Sequence, residues 1–163
     1  MPERISVPKL PRGLSRLAFR FPIWLYRVHL GWLLGHRFVL LTHTGRKSRL
    51  PRHTVLEVVR YDKPTRACIV ASGWNTKSDW FLNVTANPII VIQIGNRCSA
   101  ATAVRLSSGE GAQELLDYSR RHPLAFRELA RFMGYRLDGT EDDICALGRM
   151  IPMFVFTPLS VEG

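Results

Sequence analysis

The segment IIVIQIGNRCSAATAVRL, residues 89–106, constrains the fold more than any other stretch of this chain. Two runs with β character, Ile89–Gly95 and Arg97–Leu106, meet at a tight Gly95-Asn96 turn. Such a turn is a hairpin signal, so the two strands lie side by side and antiparallel. The sheet around them then grows by antiparallel neighbours, without the long crossovers that parallel strands need.

Four more strand candidates follow the same pattern. Arg37–Thr44 leads into a turn, and His53–Tyr61 returns from it, alternating Thr54, Leu56 and Val58 against Val55, Glu57 and Val59. Arg66–Ser72 comes after the turn at Asp62-Lys63-Pro64, and Met153–Thr157 is a short closing strand. Between the third and fourth strands, Asp79–Ala86 reads as a short helix with Ser78 or Asp79 as N-cap. The last third is helical: Glu110–Arg121 runs up to Pro123, and Leu124–Met133 ends at Gly134, a natural C′ residue. Thr140 with Asp143 resembles a capping box that opens a helix ending before Pro152. The expected fold is mainly β with flanking helices (α+β), a small, partly open barrel with helices packed outside.

At 163 residues one folded domain is expected, with residues 1–36 as an N-terminal helical segment and 37–163 as the barrel. Leu14, Leu17, Ala18, Phe21, Leu25 and Val28 recur at helical spacing, with Arg16, Arg20 and Arg27 on the other side and a break at Pro22. Two readings stay open for this segment: a helix capping the core, or a peripheral membrane contact with aromatics at headgroup depth. The most apolar stretch, Phe19–Leu41, is interrupted by Arg20, Arg27, His29 and Arg37, so it does not read as a membrane span. No secretory leader is visible. Cys68, Cys98 and Cys145 lie far apart and read as small buried hydrophobes, in keeping with a reducing compartment. The expectation is a cytoplasmic protein, with membrane association left open.

Charge is the second constraint. The net charge is +10, and residues 1–60 carry all of it: twelve Lys and Arg against Glu3 and Glu57. The remaining 103 residues carry eleven charges of each sign. An excess so placed calls for an anionic partner: a phosphate-bearing cofactor, a membrane surface or nucleic acid. Its densest point is LTHTGRKSRLPRHTVLEV, residues 41–58, where Arg46, Lys47, Arg49 and Arg52 crowd a turn between two strands. Gly45 permits the bend, Arg46 and Arg52 offer planar forks, Lys47 a mobile charge, and Thr44 and Ser48 hydroxyl donors. Successive turn N–H groups can form an anion nest. The pattern is not a Walker A loop, since it lacks the second glycine and no helix follows Lys47-Ser48. From these residues alone, a solvated basic loop and a phosphate site are both open.

The segment LLTHTGRKSRLPRHTVLEV, then IVASG, then DWFLNVTANPIIVIQIG, resembles the deazaflavin-dependent nitroreductase family. The likeness is close over residues 30–106 and looser elsewhere. It implies a split β-barrel related to the pyridoxamine-oxidase and FMN-binding barrels, and reduced coenzyme F-420 as cofactor, a deazaflavin with a phosphate and an oligoglutamate tail. By resemblance, Arg46, Lys47, Ser48 and Arg52, with Thr44 and Gly45 in the same turn, hold the phosphate and acidic tail. Thr54, Val55 and Leu56 lie along the cofactor by their backbone. Ser72, Gly73 and Lys77 line the neighbouring loop, and Trp80 and Asn83 flank the ring pocket from the short helix. A hydroxyl, Ser72 or Tyr135, or a water, supplies the proton that accompanies hydride transfer to a quinone-like, nitro-aromatic or unsaturated small molecule. Three departures stand out: Arg49 replaces the family's glycine, Val55 its proline, and the loop SGWNTKSDW is short, with Trp74 placed to fill space.

Alternatives on the same barrel are a non-catalytic binding protein for a fatty acid or other hydrophobic ligand, and an FMN-binding oxidoreductase. Nucleic-acid binding rests on charge alone, without a recognition motif, and is set aside. The assembly is read as monomer or homodimer. His43 is taken as a plain strand histidine, Tyr118 as a rim or pocket residue, and Glu141-Asp142-Asp143 as first-turn helix acids, not a metal site.

Overall fold

The computed structural model describes residues 2–4, 27–28, 35–73 and 77–160. Its strands are β1 (Glu3–Arg4), β2 (Phe38–Thr44), β3 (Pro51–Tyr61), β4 (Cys68–Ala71), β5 (Ile89–Ile94), β6 (Arg97–Arg105), β7 (Tyr135–Arg136) and β8 (Met153–Pro158). Its helices are α1 (Asp79–Ala86), α2 (Ser108–Arg121), α3 (Pro123–Phe132) and α4 (Glu141–Met150). The expected membrane-facing or capping helix of the N-terminal segment, and Trp74, lie outside the described residues. Among the described residues no helix is long and apolar enough to cross a membrane.

Six strands close into a barrel in the order β2-β3-β4-β8-β6-β5. Here the structure corrects an expectation: strand count suggested a partly open barrel, but β2 pairs with β5 across Leu40↔Gln93 and completes the ring. The hairpin forms as the turn predicted, with Ile89↔Thr102 through Ile94↔Arg97 and Gly95 at φ +58. Period-two alternation then sorts each strand between two cores. Val39, Leu41, Ile90, Ile92, Ala101, Ala103 and Phe156 fill the barrel interior. Val59, Ile69 and Met153 face outward, against Leu115, Leu116, Phe126 and Leu147 of the helices.

One irregularity decides what the far rim of the barrel presents. β3 and β4 pair at Val58↔Val70 and again at Arg60↔Ile69, an extra residue on β3. Such a bulge reverses side-chain parity. Tyr61 consequently packs on the interior cluster, and Arg60 points outward into a two-armed bond with Glu114 at 3.0 and 2.9 Å.

Boundaries moved where capping chemistry was misread. α2 begins before Glu110, because Ser107 and Glu110 form a full capping box. α3 begins on Pro123 itself, a favoured first-turn position. Thr140 accepts from the Asp143 amide at 3.2 Å, but Asp143 Oδ2 accepts from the Asp138 amide instead of closing the box. Gly134 takes φ +82 after α3, as a C′ glycine should. β1 adds a pairing that was not foreseen, Glu3↔Arg136 and Arg4↔Tyr135, inside a segment expected to be helical. Cys68 is buried, but Cys98 is exposed, so the reading of all three cysteines as buried fails there. Cys98 sits on the outward face of β6, one step out of phase with Ala101 and Ala103.

Candidate functional site

The basic turn sits at one end of the barrel, between β2 and β3, where Thr44 still pairs with Pro51. The Gly45 amide donates to Leu50 O at 2.9 Å and the Arg49 amide to Gly45 O at 2.8 Å, closing a compact loop. A Cβ on Gly45 would stand 2.5 Å from Ser48 Oγ, so glycine is what lets the hydroxyl fold inward. Ser48 Oγ in turn takes the Leu50 amide at 3.3 Å and Arg52 Nη2 at 3.4 Å. Arg49 holds φ +59, the left-handed region where a side chain is disfavoured. That is the position at which the family pattern has glycine.

The turn is tied down from α1. Asn83, buried at 4% exposure, accepts the Arg46 amide at 3.0 Å and Arg46 Nη1 at 2.9 Å on the same oxygen, Oδ1. Arg46 Nη1 also meets Asp79 at 3.1 Å, but that carboxylate is largely exposed and the pair adds little. With Oδ1 fixed toward Arg46, Asn83 Nδ2 faces His43 Nδ1 at 3.0 Å. An amide NH₂ only donates, so Nδ1 must accept, and the imidazole proton sits on Nε2. Burial, then the nearby His53 and Arg52 charges, push the His43 pKa down to about 4 against the opposing pull of Asp79. His43 is therefore neutral near pH 7 and a fixed acceptor, more than the plain strand histidine expected of it. The two halves of this contact stand 40 residues apart in the sequence.

Two amides of the turn, those of Lys47 and Ser48, bond to nothing among the described residues, and neither Lys47 nor Arg49 has an ion-pair partner there. Together with Arg52, they leave a concentrated, unneutralised positive surface with two amide donors. Next to it, β3 offers an open edge. β2 pairs along Pro51–Tyr61 only up to Glu57, whereas β4 engages β3 only from Val58 onward. The stretch Pro51–Glu57, including Thr54, Val55 and Leu56, thus has no second strand beside it among the described residues. Such an edge presents unpaired backbone donors and acceptors.

The other expected site residues divide. Ser72 follows β4, is 1% exposed, and its hydroxyl lies 3.0 Å from that of Ser78, pinning the start of the short loop to its end. Gly73 and Lys77 flank that loop, Gly73 half-buried and Lys77 exposed. Trp80 is turned into the barrel, 6.0 Å edge-on from Phe81 and from Phe154. Tyr135 is not brought to the basic turn. It lines a groove of about 590 Å³ with Phe126, Ala130 and Ile144, under the Arg4 guanidinium at 6.0 Å. Met133 Cγ would lie 3.8 Å from a Cβ placed on Gly73. Tyr118 is committed elsewhere: its hydroxyl donates to Glu57 at 3.0 Å, and burial ahead of the Glu57 charge pushes its pKa up to about 12.

Solved structures with this architecture include an F420-H2-dependent reductase (FDR-A), 24% identical, covering 76% of this chain and 96% of its own, with a TM-score of 0.51. A chain described as a domain-swapped dimer is also 24% identical, over 76% of this chain and 81% of its own, at 0.51. A Listeria innocua protein provisionally named a pyridoxamine 5′-phosphate oxidase is 12% identical over 83% of this chain and 94% of its own, at 0.50. These likenesses establish the pyridoxamine-oxidase-like split barrel. The sequence pattern of the F420H(2)-dependent quinone reductases matches residues 19–132, well over half of the chain and including the turn, the open edge and α1. The chain belongs to the F420H(2)-dependent quinone reductase family, oxidoreductases whose cofactor is coenzyme F420.

Proposed function

We propose that the basic turn holds the phosphate and acidic tail of the coenzyme, and that the protein reduces a quinone-like, nitro-aromatic or unsaturated small molecule. The observation that carries the first part is the turn itself: among the described residues the Lys47 and Ser48 amides bond to nothing, and Lys47 and Arg49 have no ion-pair partner. A phosphate fits this cradle by charge and by donor count. Arg46, anchored through Nη1, keeps Nε and Nη2 for the ligand, and Arg52 reaches it from the start of β3. Thr44 and Gly45 shape the approach. The open edge at Thr54, Val55 and Leu56 supports a ligand lying along β3 by main-chain bonds.

When bound, the coenzyme supplies a hydride. The protein's part is to hold it, to present the acceptor and to place a proton. Ser72, bonded to Ser78, sets the loop with Gly73 and Lys77 that bounds the acceptor. Asn83 acts through Arg46 as a positioning residue, and Trp80 supports α1 from inside the barrel. A hydroxyl, Ser72 or Tyr135, or a water supplies the proton; Ser72 lies at the loop, Tyr135 in the separate groove beside the helices. The acceptor then gains one hydride and one proton, as a quinone does in becoming a hydroquinone. The family's own description favours the quinone.

Titrating the reduced coenzyme by its fluorescence, with FMN in parallel, tests the site. Binding in the micromolar range is expected, and Arg52→Ala should weaken it roughly tenfold, the effect of one charge-assisted bond of about 1.5–3 kcal/mol. No binding at tens of micromolar, or an unchanged Arg52→Ala affinity, refutes it. Turnover with a quinone, a nitro-arene and an enone ranks the acceptors, and light scattering distinguishes monomer from the homodimer that the domain-swapped relative suggests as the assembly to look for.

A further inference from the structure

The barrel has two ends, and α1 fills one of them with Trp80, Phe81 and Val84. At the other end lies a cavity of about 390 Å³. Its existence follows from the strands. On β6, the parity that sends Ala101 and Ala103 into the core also sends Ser99 and Arg97 inward. These residues are small until the rim, so the interior stays open toward that end. Ile92 and Ile94 of β5 form the apolar floor, and Pro158 of β8 closes one side. The β3 bulge supplies Tyr61, against which the His36 ring stacks at 4.2 Å and 18°.

Two arginines face this space from opposite sides of the rim. Arg97 ends the hairpin, and Arg66 stands across from it in the turn before β4. Arg66 holds φ +60, a conformation an arginine rarely takes, fixed by its amide bond to Asp62 O at 2.7 Å. Neither has an ion-pair partner among the described residues, and no acidic side chain is among those lining the cavity. The nearest acid in sequence, Asp62, is committed to the amide and hydroxyl of Thr65. Asn96 and Ser99 add neutral hydrogen-bonding groups.

We propose that this mouth is a second ligand site, which takes a small planar molecule with one anionic head, an aromatic or conjugated carboxylate. The flat body rests on Ile92, Ile94 and the Tyr61 ring, and the carboxylate points to Arg97 and Arg66. An apolar floor with a few convergent polar groups is the usual composition of such a site. It is separate from the basic turn: β2 has seven residues between the two ends, about 20 Å at roughly 3.4 Å each. The proposal does not depend on which coenzyme the turn binds.

The test is an amide ¹H–¹⁵N titration of the whole protein with 2-naphthoate, with neutral 2-naphthamide and inorganic phosphate in parallel. Saturable shifts at Tyr61, Gly95, Asn96, Arg97 and Ser99 are expected, with naphthoate binding at least fivefold more tightly than either control. Arg97→Gln should weaken it at least fivefold. Ser99→Leu, which fills the space without touching a charge, should abolish it. Shifts at residues 45–50 instead, no saturation at millimolar naphthoate, equal binding of inorganic phosphate, or full affinity in both variants overturns the proposal.

Discussion

Acidification should unlock the basic turn through one imidazole. His43 is neutral in the fold, because burial, ahead of the neighbouring His53 and Arg52 and against the pull of Asp79, holds its pKa at about 4 against an ordinary 6.5. The unfolded chain therefore takes up this proton first. The stabilisation from this group is complete above pH 6.5 and is lost as the pH falls toward 4. A gap of about 2.5 pH units at 1.36 kcal/mol each is worth about 3 kcal/mol. The structure also says what breaks. Protonated His43 would present a donor at Nδ1 to Asn83 Nδ2, itself a donor, and turning the Asn83 amide over would take Oδ1 away from Arg46. Carboxylates titrate in the same range, so the measurement is a difference. Urea unfolding of wild type and His43→Gln at pH 7, 6, 5 and 4 should show the wild type losing about 3 kcal/mol more than the variant across the series. The His43 ring protons should titrate near 4 by NMR. Parallel stability curves, or an imidazole titrating near 6.5, would refute the network as the cause.

Three substitutions probe glycine and its absence. Gly45→Ala forces Ser48 Oγ out of its 2.5 Å position and surrenders its bonds to Leu50 and Arg52. About 1 kcal/mol should be lost on urea unfolding, and coenzyme affinity should fall with it; the added Ser48→Ala change removes the clash but also the oxygen that made both bonds, so neither stability nor affinity should recover. Arg49→Gly relieves a left-handed arginine, a gain of about 1–2 kcal/mol, against about 0.5–1 for glycine's extra freedom in the unfolded chain. Its Tm should rise by up to about 6 °C, while coenzyme binding weakens and becomes less salt-sensitive. Gly148→Ala puts a Cβ 2.6 Å from Ala112 Cα and 2.9 Å from Gly111 O, where α4 crosses α2. Backbone cannot yield as a side chain can, so overpacking should cost at least about 2 kcal/mol; a Tm within 2 °C of wild type would contradict that contact.

Much of the site was legible because its signals are local. A two-residue Gly95-Asn96 turn can only join adjacent antiparallel strands. Asp79–Ala86 was readable to the residue, bounded by an N-cap serine and the Asn87-Pro88 exit. The cluster at 46–52 marked a dense positive turn by charge alone, with a solvated loop and an anion site both open, and the surrounding pattern pointed to the family. Each of these rests on residues a few positions apart.

What the sequence could not determine depends on distance and burial. Barrel closure through β4, β8 and β6 joins residues up to 88 positions apart, as in Cys68↔Phe156, and no local pattern encodes that pairing. The bulge that turns Tyr61 inward and Arg60 outward follows from fitting β3 to β4, not from the alternation of either strand. Asn83, His43 and Arg46 each looked ordinary alone. Their coupling arises because α1 plugs the barrel end where β2 delivers His43, so that the buried Asn83 meets His43 with its amide nitrogen and Arg46 with its oxygen. The residues and their charge were set by sequence. Which of them are free to meet a ligand, and which are spent holding the turn, was decided by packing, because only the folded chain determines which donors are already paired.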